Sequence, residues 1–456
     1  MIQTTVFNKL YILRLAVTAA LGGLLFGYDI AVISGTIPFI TDFFELTDWW
    51  KGFVVSSLYI GCMIGAALAG KMSDRYGRKN MLIVSAIMFA ITSVGSGLAN
   101  NLLSFFIYRL IGGLGVGAAA MLSPMYIAEV TPANIRGRYV AINQFTIVIG
   151  IQAAYFVNYL LLPVGENAWR WMFIAEVVPS ILFFLSMFMV PETPRWLAKN
   201  GQNDKAERVL NKIGDAGFAK KTITDIRMSL DSETKGDMKM LFSKPMRLVL
   251  IIGVILAFFQ QWSGINVIFF YAPDIFAQTG AGIESQLFQT VIIGAMNVIF
   301  TLVAMWLVEK LGRKKLLLIS SAGMAVGYIM IGILFFTNHL SGYILLIFAL
   351  ITVAAYSTGL APVTWVVLSE IFPNRIRGQG MSIATLSLWI GTFTLTLTFP
   401  TLMANLKGSF TFWLYAFICI LGFIFIRLTL PETKGKTLEE LEKLLIKNEK
   451  IHRSKS

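Results

Sequence analysis

The 456-residue chain is poor in charge, histidine and cysteine, and each shortage closes off a class of function. Only 14% of its residues are charged, against about 25% in a soluble globular protein. With 56% hydrophobic residues and a mean hydropathy of +0.71, the composition asks for lipid as solvent. The two cysteines, Cys62 and Cys419, both sit in apolar runs, which argues against a disulfide framework or a zinc site. The two histidines, His339 and His452, fall in a loop and in the tail, so a histidine proton relay within the membrane is excluded. No paired catalytic carboxylates, nucleophile motif, metal-ligand cluster or phosphate-binding loop stands out. The reading is of a protein that is not an enzyme and uses no metal and no cofactor. No cleavable signal peptide is evident, because the first apolar run is long and lacks a small-residue cleavage site.

What the chain has in abundance is apolar runs of about 20 residues, the length that crosses a hydrocarbon core. Twelve are predicted, at roughly 12–36, 52–71, 80–99, 103–127, 138–161, 171–190, 248–275, 286–308, 315–336, 342–368, 379–402 and 410–430. The loops between them alternate in charge. Those around 71–79, 135–138, 309–315 and 375–377 hold 12 Lys or Arg, while the six intervening loops hold three, Lys51, Arg170 and Lys407. By the positive-inside rule the first set, and both termini, face the cytoplasm. The net charge of +13 is therefore a matter of membrane topology and does not point to nucleic acid.

Residues 191–247 carry 20 of the chain's 63 charged residues, in patterns such as "NDKAERVLNKI" that suit short amphipathic helices. This segment reads as a cytoplasmic helical linker between two six-helix bundles, residues 1–190 and 248–430. The tail, 431–456, contains "TLEELEKLLIKNEK", which reads as another helix with Thr437 as its cap. The two halves repeat. "MSDRYGRK" (72–79) corresponds to "LVEKLGRK" (307–314), "IAEVTPANIRGR" (127–138) to "LSEIFPNRIRGQ" (368–379), and "PETPRWL" (191–197) to "PETKGKT" (431–437). The three offsets are 235, 241 and 240 residues, too nearly equal for chance. A duplicated bundle of spans is the signature of a transporter whose substrate site lies between the repeats near the midplane.

These motifs, together with "QQWSGINVIFFYAP" (260–273) and "PETKGKTLEE" (431–440), closely resemble the sugar porter family of the major facilitator superfamily over essentially the whole chain. The likeness is strongest to bacterial proton-coupled symporters for xylose and hexoses and to their facilitative relatives. It implies an all-α polytopic membrane protein with the twelve-helix major facilitator fold, set in a cell membrane and functional as a monomer. The implied activity is import of a monosaccharide, hexose or pentose, together with a proton. A facilitative uniporter and a non-transporting sugar sensor are the alternatives; the short tail argues against a sensor.

Three groups of residues carry the expected chemistry. At the loops, Asp74, Arg78, Glu129 and Arg136 in the first half are matched in position by Arg313, Glu370 and Arg377 in the second. Repeated acids and bases at helix ends invite pairing, and the family implies a cytoplasmic latch; the alternative is that they are solvated topology determinants. Inside the spans amides are few, among them Gln144, Gln152, Asn158, Gln260, Gln261, Asn266, Gln289 and Asn297. An amide both donates and accepts, as sugar hydroxyls do, and Gly264 with Pro273 would let span seven bend or unwind. By position the family implies Gln144, Gln260, Gln261, Asn266, Asn297 and Trp365 as sugar ligands, with Trp389 and Phe26 lining the pocket. A packing role is the alternative for Trp365. Phe270, Leu388, Ile151 and Ala361 stand where the xylose-symporter pattern has tyrosine, glutamine, glutamine and glycine, which makes this pocket less polar.

The third group is ionisable. A charged group at the centre of a span costs about 2.5–3.5 kcal/mol, which makes Asp29 a functional candidate. Arg109 in span four is its obvious partner, and span ten, the repeat of span four, contains no arginine or lysine. A carboxylate beside an arginine stays ionised, whereas a buried one whose arginine turns away takes a proton. Proton-coupled members of the family carry aspartate at this position and facilitative ones asparagine. Glu176 is a second candidate for the coupling path. The alternatives are a fixed ion pair for Asp29 and a packing hydrogen bond for Glu176.

Overall fold

In hydrocarbon every backbone N–H and C=O must be satisfied within its own segment, so long apolar runs fold as helices. The computed structural model describes residues 7–231, 241–372 and 376–434, and the regular elements among them are all helical. The tail helix expected at Thr437 lies outside these residues. Spans one to five are α1 (Lys9–Phe43), α2 (Asp48–Tyr76), α3 (Arg78–Gly97), α4 (Leu102–Val130) and α5 (Arg136–Leu161). Span six is split into α6 (Ala168–Ile174) and α7 (Val177–Phe188). The charged linker forms α8 (Pro194–Lys199), α9 (Asn203–Ile213) and α10 (Ala216–Asp231). Thr193 caps α8 by accepting from the Trp196 N–H, and Pro194 takes the first turn, where no donor is needed.

In the second half, α11 (Lys244–Trp262) and α12 (Ile265–Ala277) make span seven, and α13 (Ile283–Leu311) and α14 (Arg313–Phe336) make spans eight and nine. Span ten is α15 (Gly342–Thr358) followed by α16 (Leu360–Ile371). The last helix, α17 (Arg377–Thr429), has 53 residues. At 1.5 Å per residue it would run about 80 Å, more than twice a hydrocarbon core of about 30 Å. Non-helical backbone at Lys407 (φ 62°, ψ 160°) divides it into spans eleven and twelve. The described residues therefore hold twelve spans. Its surface matches: Val178, Leu182, Leu185 and Phe188 are each more than half exposed, while Ser34, Thr36, Ser56, Ser57 and Ser123 are fully buried.

The chain divides into two compact units. The first comprises Met1–Val32, Ile60–Val157 and Asn167–Lys235; the second comprises Ile33–Tyr59, Asn158–Glu166 and Gly236–Ser456. The ends of α1, α2 and α5 opposite the linker thus belong to the second unit. Contacts within that unit explain the assignment: Tyr59 stacks on Trp389 at 6.0 Å, Tyr159 packs on Phe288 at 5.7 Å, and Lys51 pairs with Asp274 at 3.4 Å.

Within the first unit, α1 and α5 cross at backbone contact. A Cβ at Gly27 would strike the Ile147 carbonyl, and one at Gly150 the Leu24 carbonyl; the missing side chains let the helices approach. Within the second unit, span seven breaks at Gly264, whose φ of 89° lies in the left-handed region that glycine adopts freely. Span ten breaks at Gly359, where the Leu360 N–H donates to Ser320 Oγ at 3.1 Å.

Candidate functional site

Three constellations emerge from this framework. The first lies in the first unit, where α1 carries Asp29, α4 carries Arg109, and the turn between α6 and α7 carries Glu176; all three are 4% exposed or less. Asp29 Oδ1 accepts a charge-assisted hydrogen bond from Arg109 Nη1. The guanidinium also reaches the Asp29 carbonyl oxygen at 3.4 and 3.5 Å and lies 5.6 Å from the centre of the Phe173 ring. Glu176 points to neither of these partners: its Oε2 accepts from Ser93 Oγ at 2.9 Å. Ser93 was not marked out by the sequence, since a serine within an apolar span carries no signal of its own. Arg109 Nε and Glu176 Oε1 are buried without a hydrogen-bond partner among the described residues. The cluster thus holds two carboxylates and one guanidinium, with donor and acceptor capacity left over.

The second constellation lies in the second unit, around the breaks in spans seven and ten. Gln260 and Gln261 close α11, Asn266 follows Gly264 in α12, and Asn297 sits on α13. Asn266 Nδ2 donates to Gln261 Oε1, Gln261 Nε2 donates to Gln260 Oε1 at 3.1 Å, and Gln260 Nε2 donates to the carbonyls of Leu360 and Ala361 at 3.0 and 3.2 Å. Asn297 Oδ1 accepts from Ser357 Oγ at 2.7 Å, at the last turn before the span-ten break. Trp389 is 5% exposed and stacked on Tyr59, which also meets Phe270 at 6.0 Å. Trp365 is half-buried on α16. Gln144 on α5 and Phe26 on α1 are half-buried in the first unit, so the expected ligands are distributed over both units.

The third constellation is duplicated, once in each unit, at the ends of the helices nearest the linker. In the first unit Arg78 donates to Asp74 Oδ1 at 2.9 Å and to Glu129 Oε1 at 3.3 Å, while Lys199 holds Asp74 Oδ2 at 2.9 Å. In the second unit Arg313 pairs with Glu370 at 3.0 Å. Arg136 and Arg377 join neither pair. Arg136 opens α5 as an exposed residue, and Arg377 Nε donates to the Phe372 carbonyl at 3.3 Å. For Arg136 the reason is local: a turn at 131–135 separates it from Glu129 and the end of α4.

The "PET" repeats add a feature that sequence reasoning missed. Glu192 accepts from the Lys79 N–H at 3.0 Å, and Glu432 accepts from the N–H groups of Arg313 and Lys314 at 2.8 and 3.1 Å. Each carboxylate thereby caps the first turn of a span, where unpaired N–H groups and the positive end of the helix dipole favour an anion. Burial pushes the Glu192 carboxyl above its ordinary range, and the N–H groups of Thr193, Lys79 and Arg78 partly offset that rise.

Comparison with known proteins agrees with this architecture. The family described as "Sugar (and other) transporter" matches residues 15–445. The D-xylose-proton symporter of Escherichia coli is 41% identical, with 97% of each chain covered. The arabinose-proton symporter of Bacillus subtilis is also 41% identical, over 96% of each chain. A solved inward-open structure of the Escherichia coli xylose transporter superposes with a TM-score of 0.85 at 40% identity, covering 95% of this chain and all of that one. Twelve spans, duplicated loop motifs, helices broken beside buried amides and a match across nearly the full length together place this chain in the sugar transporter family of the major facilitator superfamily.

Proposed function

We propose that this protein imports a monosaccharide, a pentose or a hexose, together with a proton by alternating access in the cell membrane, acting as a monomer with both termini cytoplasmic. The observation that carries the proton half is the ion pair between Asp29 and Arg109, buried in the first unit with no basic residue in the equivalent span ten. Neutralising Asp29 by protonation releases the guanidinium, and a group that is charged in one state and neutral in another ties proton binding to conformation. Glu176, tied to Ser93, offers a second proton acceptor in the same cluster. The sugar half rests on the amides of span seven and on the names of the relatives, both proton symporters of pentoses. In this reading Gln144, Gln260, Gln261, Asn266, Asn297, Trp365, Trp389 and Phe26 form the sugar site, and the loop ion pairs hold the cytoplasmic side closed while the other side is open.

The deciding experiment is uptake into proteoliposomes, with and without an imposed pH gradient, across a panel of pentoses and hexoses. Symport predicts accumulation of one or more sugars above the external concentration only when the outside is acidic. Equilibration that ignores the gradient points to uniport, and binding without flux to a sensor.

The Lys51–Asp274 pair lies at the end of α2 opposite the linker, and both side chains are partly exposed. Such pairs contribute up to about 1 kcal/mol, equivalent to a population shift of about fivefold. Lys51→Met is expected to speed amide hydrogen exchange in residues 265–277 by up to that factor while leaving residues 78–97 unchanged. A change of equal size in both segments, or in neither, would show that this pair does not hold α12 locally.

A further inference from the structure

The break in span seven is wedged against two phenols. Gly264 takes a φ of 89°, and a Cβ added there would lie 2.8 Å from Tyr415 Cγ and 3.0 Å from Tyr328 Oη. Tyr328 is on α14 and Tyr415 on span twelve, and both are fully buried. Their rings meet at 5.9 Å, and Tyr328 also stacks on Phe412 at 6.1 Å. A phenol oxygen lies on the axis of its ring, so this packing fixes where each hydroxyl stands. A buried tyrosine ordinarily finds a hydrogen-bond partner for its hydroxyl, yet neither of these has one among the described residues. Two such atoms packed about one helix break call for a reason.

The backbone of the break supplies one. Between the last turn of α11 and the first of α12 the helical ladder is interrupted, which deprives carbonyls of their usual donors. The Gly264 N–H turns back to the Gln261 carbonyl at 3.3 Å, and the Val267 N–H to the Gly264 carbonyl at 3.1 Å. The donor that reaches the Ser263 carbonyl is the thiol of Cys419, one turn after Tyr415, at 3.4 Å. A thiol is a weak donor. An under-satisfied carbonyl thus stands one residue from the glycine against which both phenols pack. Rotation about the Gly264 backbone, which glycine permits over a wide range, turns the Ser263–Gly264 peptide relative to those fixed hydroxyls.

We infer that Tyr328 and Tyr415 are positioning residues for the break in span seven, and that their hydroxyls donate to its carbonyls, that of Ser263 above all, in the conformation that alternates with the one described here. This rests on the alternating-access reading above. In the present form the unpaired hydroxyls weigh against the bend at Gly264. In the other form they hold the backbone that carries Gln260 and Gln261 on one side of the break and Asn266 on the other. The two phenols therefore narrow the gap between the forms and let span seven pass between them.

The test uses Tyr328→Phe and Tyr415→Phe, each of which removes the hydroxyl and keeps the ring. Melting temperature and the rate of labelled-sugar exchange in proteoliposomes are measured for each. Phenylalanine takes an unpaired polar atom out of the present form and a hydrogen bond out of the other. The melting temperature is expected to rise, while the maximal exchange rate at saturating sugar falls about fivefold, the worth of one hydrogen bond. The opposite signs mark the role, because a tyrosine satisfied where it stands loses stability when its hydroxyl is removed. A lowered melting temperature would show that the hydroxyls are already paired in this form. An unchanged maximal rate would show that the other form does not use them. Either result overturns the inference and leaves sugar transport standing. A wild type that neither exchanges nor binds any pentose or hexose overturns the transport reading itself, and the inference with it.

Discussion

Asp29→Asn is expected to abolish sugar accumulation driven by a pH gradient while preserving exchange of labelled for unlabelled sugar. A gradient of one pH unit supplies about 1.4 kcal/mol, which sustains about tenfold accumulation at one proton per sugar. In the variant that ratio should fall to about one. Asparagine has the shape of aspartate but cannot change charge in the cycle, so the conformational change is no longer tied to a proton. The substitution leaves Arg109 buried without its counter-ion, and breaking a buried pair ordinarily costs about 3–5 kcal/mol. Here the Asp29 carbonyl oxygen, already within 3.5 Å of the guanidinium, offsets part of that cost. Thermal stability should therefore drop measurably without loss of the folded protein. Exchange is the control that separates the two effects, because it requires both open states but no net proton movement. Accumulation that persists in Asp29→Asn would move the coupling site to Glu176, whose Ser93 hydrogen bond does not involve Arg109.

The parts of the molecule that could be read in advance are those governed by local chain chemistry. Spans follow from the length of apolar runs, the linker from its charge, and the break in span seven from Gly264 lying between polar residues. Even the division of α17 is written in its 53-residue length, which no bilayer accommodates in one pass. What could not be read are partnerships made across the chain by residues that look ordinary in sequence. Ser93 meets Glu176 across 83 residues, Thr392 meets Gln261 across 131, and Glu432 reaches the start of α14 across 119. Serines and threonines in a span ordinarily bond back to their own helix, as Thr92 does to Met88. Nothing in the sequence tells which of them turns outward. The loop charges were legible in part: Arg78 meets Asp74 and Glu129 and Arg313 meets Glu370, whereas Arg136, beyond the turn at 131–135, joins neither pair.

Gln261→Ala is expected to raise the KM for sugar roughly 30- to 100-fold, with proton coupling intact at saturating sugar. The magnitude follows from what the side chain joins. Gln261 accepts from Asn266 and Thr392 and donates to Gln260, so its removal leaves three buried or half-buried groups each missing a partner. An unpaired buried polar group costs about 1–3 kcal/mol. Thr392 recovers by turning to the Leu388 carbonyl, and water or sugar satisfies Asn266 in part. The net loss of about 2–2.8 kcal/mol corresponds to the stated range. Gln261→Glu provides the sharper comparison. An ionised carboxylate cannot donate, so it would set an acceptor against Gln260 Oε1 while still receiving Asn266 and Thr392. A loss in Gln261→Glu as large as in Gln261→Ala would mean that the donor toward Gln260, and hence the orientation running back to the span-ten carbonyls, matters as much as the sugar contact. Retained affinity in Gln261→Glu would mean that only the acceptor is used. An alanine variant with unchanged KM would remove Gln261 from the sugar site, and with it the reason for the network to be buried where span seven breaks.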